Sequence, residues 1–131
     1  MILDTSAVVA ILRDEPEAEV FVEMIEKADD RRISAVNYVE AGAVIDGSRD
    51  PVASRRLDEM FREAQIIIEP VTEAQAQLAR QAYRDFGKGS GHPAKLNFGD
   101  CFAYALAKTK NEPMLFKGDD FSRTDIVAAI S

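Results

Sequence analysis

Alternation constrains this chain most: strand-like runs at MIL, RRISA, IIIEPV and PMLFKG are separated by segments patterned as helices. Short strands joined through helices pair side by side in parallel, with right-handed crossovers. The pattern therefore predicts an α/β domain built on a mainly parallel sheet. Between the runs, Ser6 to Arg13 reads as a short helix after the turn chemistry of Asp4-Thr5-Ser6. PEAEVFVEMIEKA has Pro16 in first-turn position and Val20, Met24 and Ala28 at helical spacing. VNYVEAGAVIDGS reads as a helix ended by Gly47, and a further helix starts at Pro51. IIIEPV, continuously β-branched at its start, suits a strand buried on both faces, and Thr72 caps the helix EAQAQLARQAYRDF. GDCFAYALAKTK is apolar enough to be a buried helix, GKGSGHPAKLN is irregular, and DDFSRTDIVAAIS carries no clear pattern.

With 131 residues and 47% hydrophobic content, the chain fits one domain, residues 1–131, with its own core. It has no apolar run long enough to span a bilayer and no basic leader, so a cytoplasmic location without membrane attachment is expected. One cysteine, Cys101, excludes an internal disulfide, and one histidine, His92, argues against zinc. The net charge of −7 repels nucleic acid as a whole, so contact with RNA or DNA needs a local patch.

Several acids lie where a plain core does not need them. Asp4 follows the first strand, at the edge of an open α/β sheet where ligands bind, although by itself it reads first as an N-cap. Glu40 has Val36 and Val44 one helical turn to either side and Ala43 on the same face, which points its carboxylate coreward. An unpaired buried charge there requires a cation or a strong partner. Asp100 is the only acid in NFGDCFAYALA, and Asp119 and Asp120 follow the last strand. Acids from at least three separate segments are thus expected to converge at one end of one sheet. Clustered carboxylates raise one another's pKa unless a cation is present, and hard oxygen ligands favour Mg²⁺, with Mn²⁺ as a substitute.

The blocks MILDTSAVVAIL, NYVEAGAVI, LNFGDCFAYALAK and LFKGDDFSRTDI resemble, in order and spacing, the four acidic blocks of PIN domains in their VapC-toxin form. The resemblance implies a PIN-like three-layer α/β/α sandwich with a central sheet of four to five strands. It implies a Mg²⁺-dependent endoribonuclease toxin that cuts tRNA or rRNA loops, forms a homodimer and is held by a VapB-type antitoxin. Asp4 and Asp100 match the family's main metal ligands and Glu40 its second acid, while Thr5 or Ser6 matches a hydroxyl beside the first Asp. The fourth acid departs from the pattern: Gly118 stands where many relatives carry Asp, leaving Asp119, nearer the strand end and so favoured, or Asp120 to supply it.

Lys88 and Lys95, with His92, are candidates for phosphate contacts from the Gly87–Lys95 loop. GKGSGH matches no nucleotide-binding glycine motif, and Cys101 reads as a buried thiol. Two other functions fit parts of the pattern: a receiver-like Mg²⁺-binding signalling module, with Lys117 after its last strand, and a catalytically inactive PIN binding domain.

Overall fold

The alternation folds as four parallel strands separated by pairs of helices; a computed structural model describes residues 1–130. The order along the chain is β1 (Ile2–Leu3), α1 (Thr5–Leu12), α2 (Ala18–Lys27), β2 (Arg32–Ser34), α3 (Ala35–Gly47) and α4 (Pro51–Glu63). There follow β3 (Ile67–Glu69), α5 (Glu73–Phe86), α6 (Phe98–Lys110), β4 (Met114–Leu115) and a 3-10 turn at Phe121–Arg123. In space the strands run β3-β2-β1-β4, with Ile2 level with both Arg32 and Met114, and Ile33 level with Ile68.

Successive side chains on β1 point to opposite faces, which divides the core in two. Leu3 joins α1 to α4 through Val8, Phe21, Ile45 and Leu57, whereas Ile2 joins α5 and α6 through Ala79, Leu106 and Met114. The chain winds outward from β1 to β3 with its helices on one face. It then crosses to the other side of β1 with its helices on the opposite face, giving the α/β/α layering that the resemblance implies.

Helix ends follow the local chemistry. Asp4, Ser34, Asp50 and Thr72 each accept a backbone N–H at the start of their helix, and Pro51 occupies its first turn. Pro16, by contrast, lies ahead of α2, whose N-cap is Glu17.

Three expectations about burial are corrected. β3 is an edge strand, with Ile67 and Ile68 each 43% exposed, because the sheet ends there and only Ile66 turns inward. The buried stripe of α2 is Phe21 and Ile25; Val20 is exposed, and Met24 and Ala28 pack only at its margin. The buried stripe of α3 is Asn37, Ala41 and Ile45, which leaves Ala43 and Val44 exposed and Glu40 at the stripe's edge.

Candidate active site at the carboxyl edge of the sheet

The winding reverses between β1 and β4, and in open α/β sheets the crevice outside the carboxyl ends of the strands at such a switch point is where ligands bind. Asp4 opens directly from β1 into this region and is 3% exposed. Its Oδ2 accepts from the Ser6 backbone N–H at 3.1 Å and from the Ser6 hydroxyl at 2.6 Å. Ser6 Oγ in turn accepts from the Lys117 backbone N–H at 2.9 Å, so one hydroxyl ties the end of β4 to the carboxylate beyond β1. Oδ1 of Asp4 is buried without a donor among the described residues.

Glu40 reaches the same region from α3. Its Oε1 accepts from the Thr5 hydroxyl at 2.8 Å and from the Asn37 amide at 3.0 Å. That amide also donates to Thr5 Oγ1 and to the Gly99 carbonyl, each at 3.1 Å. Oε2 lies over the Cα of Gly99: a Cβ added there would stand 2.0 Å from it. Glu40 is thus half-buried, as its coreward direction from sequence suggested, but its neighbours are polar groups and a glycine instead of Val36 and Val44.

Asp100 arrives on the first turn of α6 as half of a capping box. Asn97 Oδ1 accepts from the Asp100 N–H at 2.9 Å, and Asp100 Oδ2 accepts from the Asn97 N–H at 3.0 Å. The capping box accounts for an acid at this position, yet not for its electrostatics. Burial first, and then the negative charge of Asp4, push the Asp100 carboxyl up to about 7, with Asp120 and Glu40 adding to the rise. Asp4 is raised as well, by burial above all and by Glu40, against the lowering effect of its Ser6 hydrogen bonds.

Of the two acids after β4, Asp120 is the one whose charge adds to the raised Asp100 carboxyl, whereas the sequence favoured Asp119 as the residue nearer the strand end. That preference assumed a continuing extended chain. Instead Gly118 adopts φ +99° and Asp120 is helical in φ and ψ ahead of the 3-10 turn, so alternation no longer applies.

Among the described residues, no salt bridge joins Asp4, Glu40, Asp100 or Asp120 to a basic group. Lys117, the nearest candidate in sequence, is engaged by Glu15 and by Glu17. Among the described residues no three acidic, histidine or cysteine side chains stand close enough together to chelate an ion unaided. What the acids share is a division of labour within each carboxylate. One oxygen of Asp4, Glu40 and Asp100 is fixed by protein donors, while the second has none among the described residues. Mg²⁺ suits this arrangement, since it is typically held by one or two carboxylates and keeps several waters.

Thr5 and Ser6 both donate to carboxylates, which makes them organising groups. Lys88 and Lys95 are exposed on the loop that leads into Asn97. This loop is closed by a bridge between Gly87 and Leu96 and packed through buried Ala94 and Leu96. His92 is structural: its ring stands edge-on to Phe86 with centroids 4.9 Å apart, and its Nδ1 accepts from the Ala94 N–H. The Cys101 thiol is buried and pushed up to about 11, first by burial and then by Asp100, and so is inert.

Asn37 and Gly99 escape a reading based on ionisable side chains. The signals that reveal them are spacing and adjacency: Asn37 lies one turn before Glu40, and Gly99 directly precedes Asp100.

The PIN domain family model matches residues 1–127. A VapC ribonuclease of Mycobacterium bovis and the ribonuclease VapC28 of Mycobacterium tuberculosis are each 58% identical to the chain, over 99% of its length and 98% of theirs. Among solved structures, Mycobacterium tuberculosis VapC20, described as a sarcin-ricin loop cleaving toxin, superimposes with a TM-score of 0.74 at 17% identity, covering 96% of this chain and 95% of that one. A toxin–antitoxin complex from Klebsiella pneumoniae gives 0.68, also at 17% identity, covering 92% and 89%.

Proposed function

We propose a function from a shown premise: this chain belongs to the PIN-domain family, among the VapC ribonucleases. On that basis it is a divalent-metal-dependent endoribonuclease and the toxin of a toxin–antitoxin pair, acting in the cytoplasm. No helix among the described residues is long and apolar enough to cross a membrane. The receiver alternative lacks support, since Lys117 is held by Glu15 and Glu17 instead of facing the acids.

The observation that carries the reading is Asp4 Oδ1, a buried carboxylate oxygen without a donor among like charges. A buried, unsatisfied polar atom costs roughly 1–3 kcal/mol, and more when charged. A cation bound there by Asp4 and Asp100, with Glu40 and Asp120 flanking, offsets that cost. When bound, Mg²⁺ or Mn²⁺ lowers the pKa of water and neutralises charge on the scissile phosphodiester.

The protein's own contribution is positional. Ser6 fixes Asp4 and couples it to β4, Thr5 and Asn37 fix Glu40, and the Asn97 box fixes Asp100. Lys88 and Lys95, exposed on the loop before Asn97, would meet RNA phosphates and add affinity without base specificity. A tRNA or rRNA loop is the substrate class that the resemblance to VapC toxins implies, and single-stranded loops are where RNA is most often recognised. A VapB-type antitoxin inhibits by bringing a basic side chain to the acids, and the active form is a homodimer.

The test is cleavage of total RNA by the purified protein with Mg²⁺, with Mn²⁺ and with EDTA, alongside Asp4→Asn. Cleavage restricted to the metal-loaded wild type is expected. Equal cleavage in EDTA, or by Asp4→Asn, refutes the site, and no cleavage under any condition favours the inactive binding domain.

A further inference from the structure

Asn37 is fully buried, carries no charge, and touches all three segments that bring the main acids together. Through one amide it meets Thr5, adjacent to Asp4, then Glu40 on its own helix, and Gly99, adjacent to Asp100. Its orientation is settled by chemistry. With the amide reversed, its oxygen would face the Glu40 carboxylate and the Gly99 carbonyl, acceptors both. The observed orientation leaves Asn37 Oδ1 buried without a partner among the described residues, as Asp4 Oδ1 is. Opposite it, Gly99 provides the space for the Glu40 carboxylate, which a Cβ would meet at 2.0 to 2.2 Å.

We infer that Asn37 and Gly99 form a positioning bracket for Glu40. Asn37 pins Oε1 from one side, and the missing side chain of Gly99 lets Oε2 turn toward the crevice shared with Asp4 and Asp100. Neither residue touches substrate; both act through Glu40. The inference rests on the metal-dependent reading above, and it extends that reading to residues that carry no ligand atoms for the ion.

The test is a calorimetric Mn²⁺ titration of the full chain and its variants, run beside RNA cleavage. Asn37→Asp keeps the shape of the side chain and replaces the donor with an acceptor. It is expected to weaken Mn²⁺ binding by about 10–100-fold, the usual consequence of losing a group that orients a ligand. Glu40→Gln should weaken it comparably, and the double variant should be no worse than Glu40→Gln alone. Unchanged binding in Asn37→Asp, or losses that multiply in the double variant, would overturn the bracket.

A second arm needs neither metal nor activity and decides the matter if Asn37→Asp does not fold. Gly99→Ala should lower the melting temperature in the native background and leave it nearly unchanged in a Glu40→Ala background; an equal drop in both overturns the close approach. The two readings fail separately. A bracket that behaves as stated in a protein that cuts no RNA sinks the ribonuclease reading alone, whereas RNA cleavage with normal Mn²⁺ binding in the Asn37 variants sinks the bracket alone.

Discussion

Asp100 keeps its proton to about pH 7 in the folded chain, against 3.8 for an ordinary aspartate, and this difference becomes a pH dependence of stability. The folded state binds the proton more tightly than the unfolded state. The stabilising contribution is therefore complete below about pH 4 and is lost as the pH rises through about 7. At about 1.4 kcal/mol per pKa unit, the whole effect is on the order of 4 kcal/mol. In urea melts without metal, stability should fall between pH 5 and pH 8, and Mg²⁺ should restore it at pH 8. Asp100→Asn should flatten the profile and raise the metal-free melting temperature at pH 8. A metal-free stability that climbs from pH 5 to pH 8 would contradict the electrostatic account.

The pair after β4 gives a second comparison at this scale. Asp120→Asn should reduce metal-dependent cleavage strongly and Asp119→Asn only slightly, since Asp120 is among the charges that raise the Asp100 carboxyl. Equal loss in both variants would mean that the turn at Gly118 does not separate their roles. The acids themselves were legible in the sequence because charge is costly in an apolar setting. Asn37 and Gly99 were not, because nothing in their own chemistry is out of place until α1, α3 and α6 are brought together.

Among the elements, α6 links the core to the crevice. Leu106 is fully buried between the sheet and α5, so Leu106→Ala should cost about 2–5 kcal/mol in denaturant melts. Asn97→Ala should cost only about 1 kcal/mol as a lost cap, yet its effect on cleavage should exceed its effect on stability, because Asp100 loses its anchor. A proportional fall in both would reduce Asn97 to a cap.

Elements were readable from sequence through their periodicity and caps, while their orientation was less so. In α2 the stripe Val20, Met24 and Ala28 lies beside the stripe Phe21 and Ile25, and a period of 3.6 residues does not choose between neighbouring apolar rows. The larger Phe21 took the core. α3 presented the same ambiguity, and Asn37, a polar residue in the buried row, disguised it. For β3, a run of isoleucines announces a strand but not how many neighbours it has. Edge position is a property of the whole sheet.

Over the whole molecule, a net charge of −7 surrounding an acidic crevice leaves few points where RNA is attracted. Lys88→Ala and Lys95→Ala should therefore raise KM by severalfold with little change in kcat, and each should reduce the salt dependence of binding by about one counterion. A kcat effect as large as the KM effect would move these lysines from substrate capture into the chemistry. The reversal of winding beside β1 has a further consequence, in time. Asp4 is made well before Asp100 and Asp120, and β1 waits for β4, which follows the other strands of the described sheet, to complete its pairing. A chain interrupted before α6 holds Asp4 and Glu40 but no cluster, and β1 still has an open side. On the function proposed above, the carboxylates that would hold the ion come together only after α6 and the turn beyond β4 have been made.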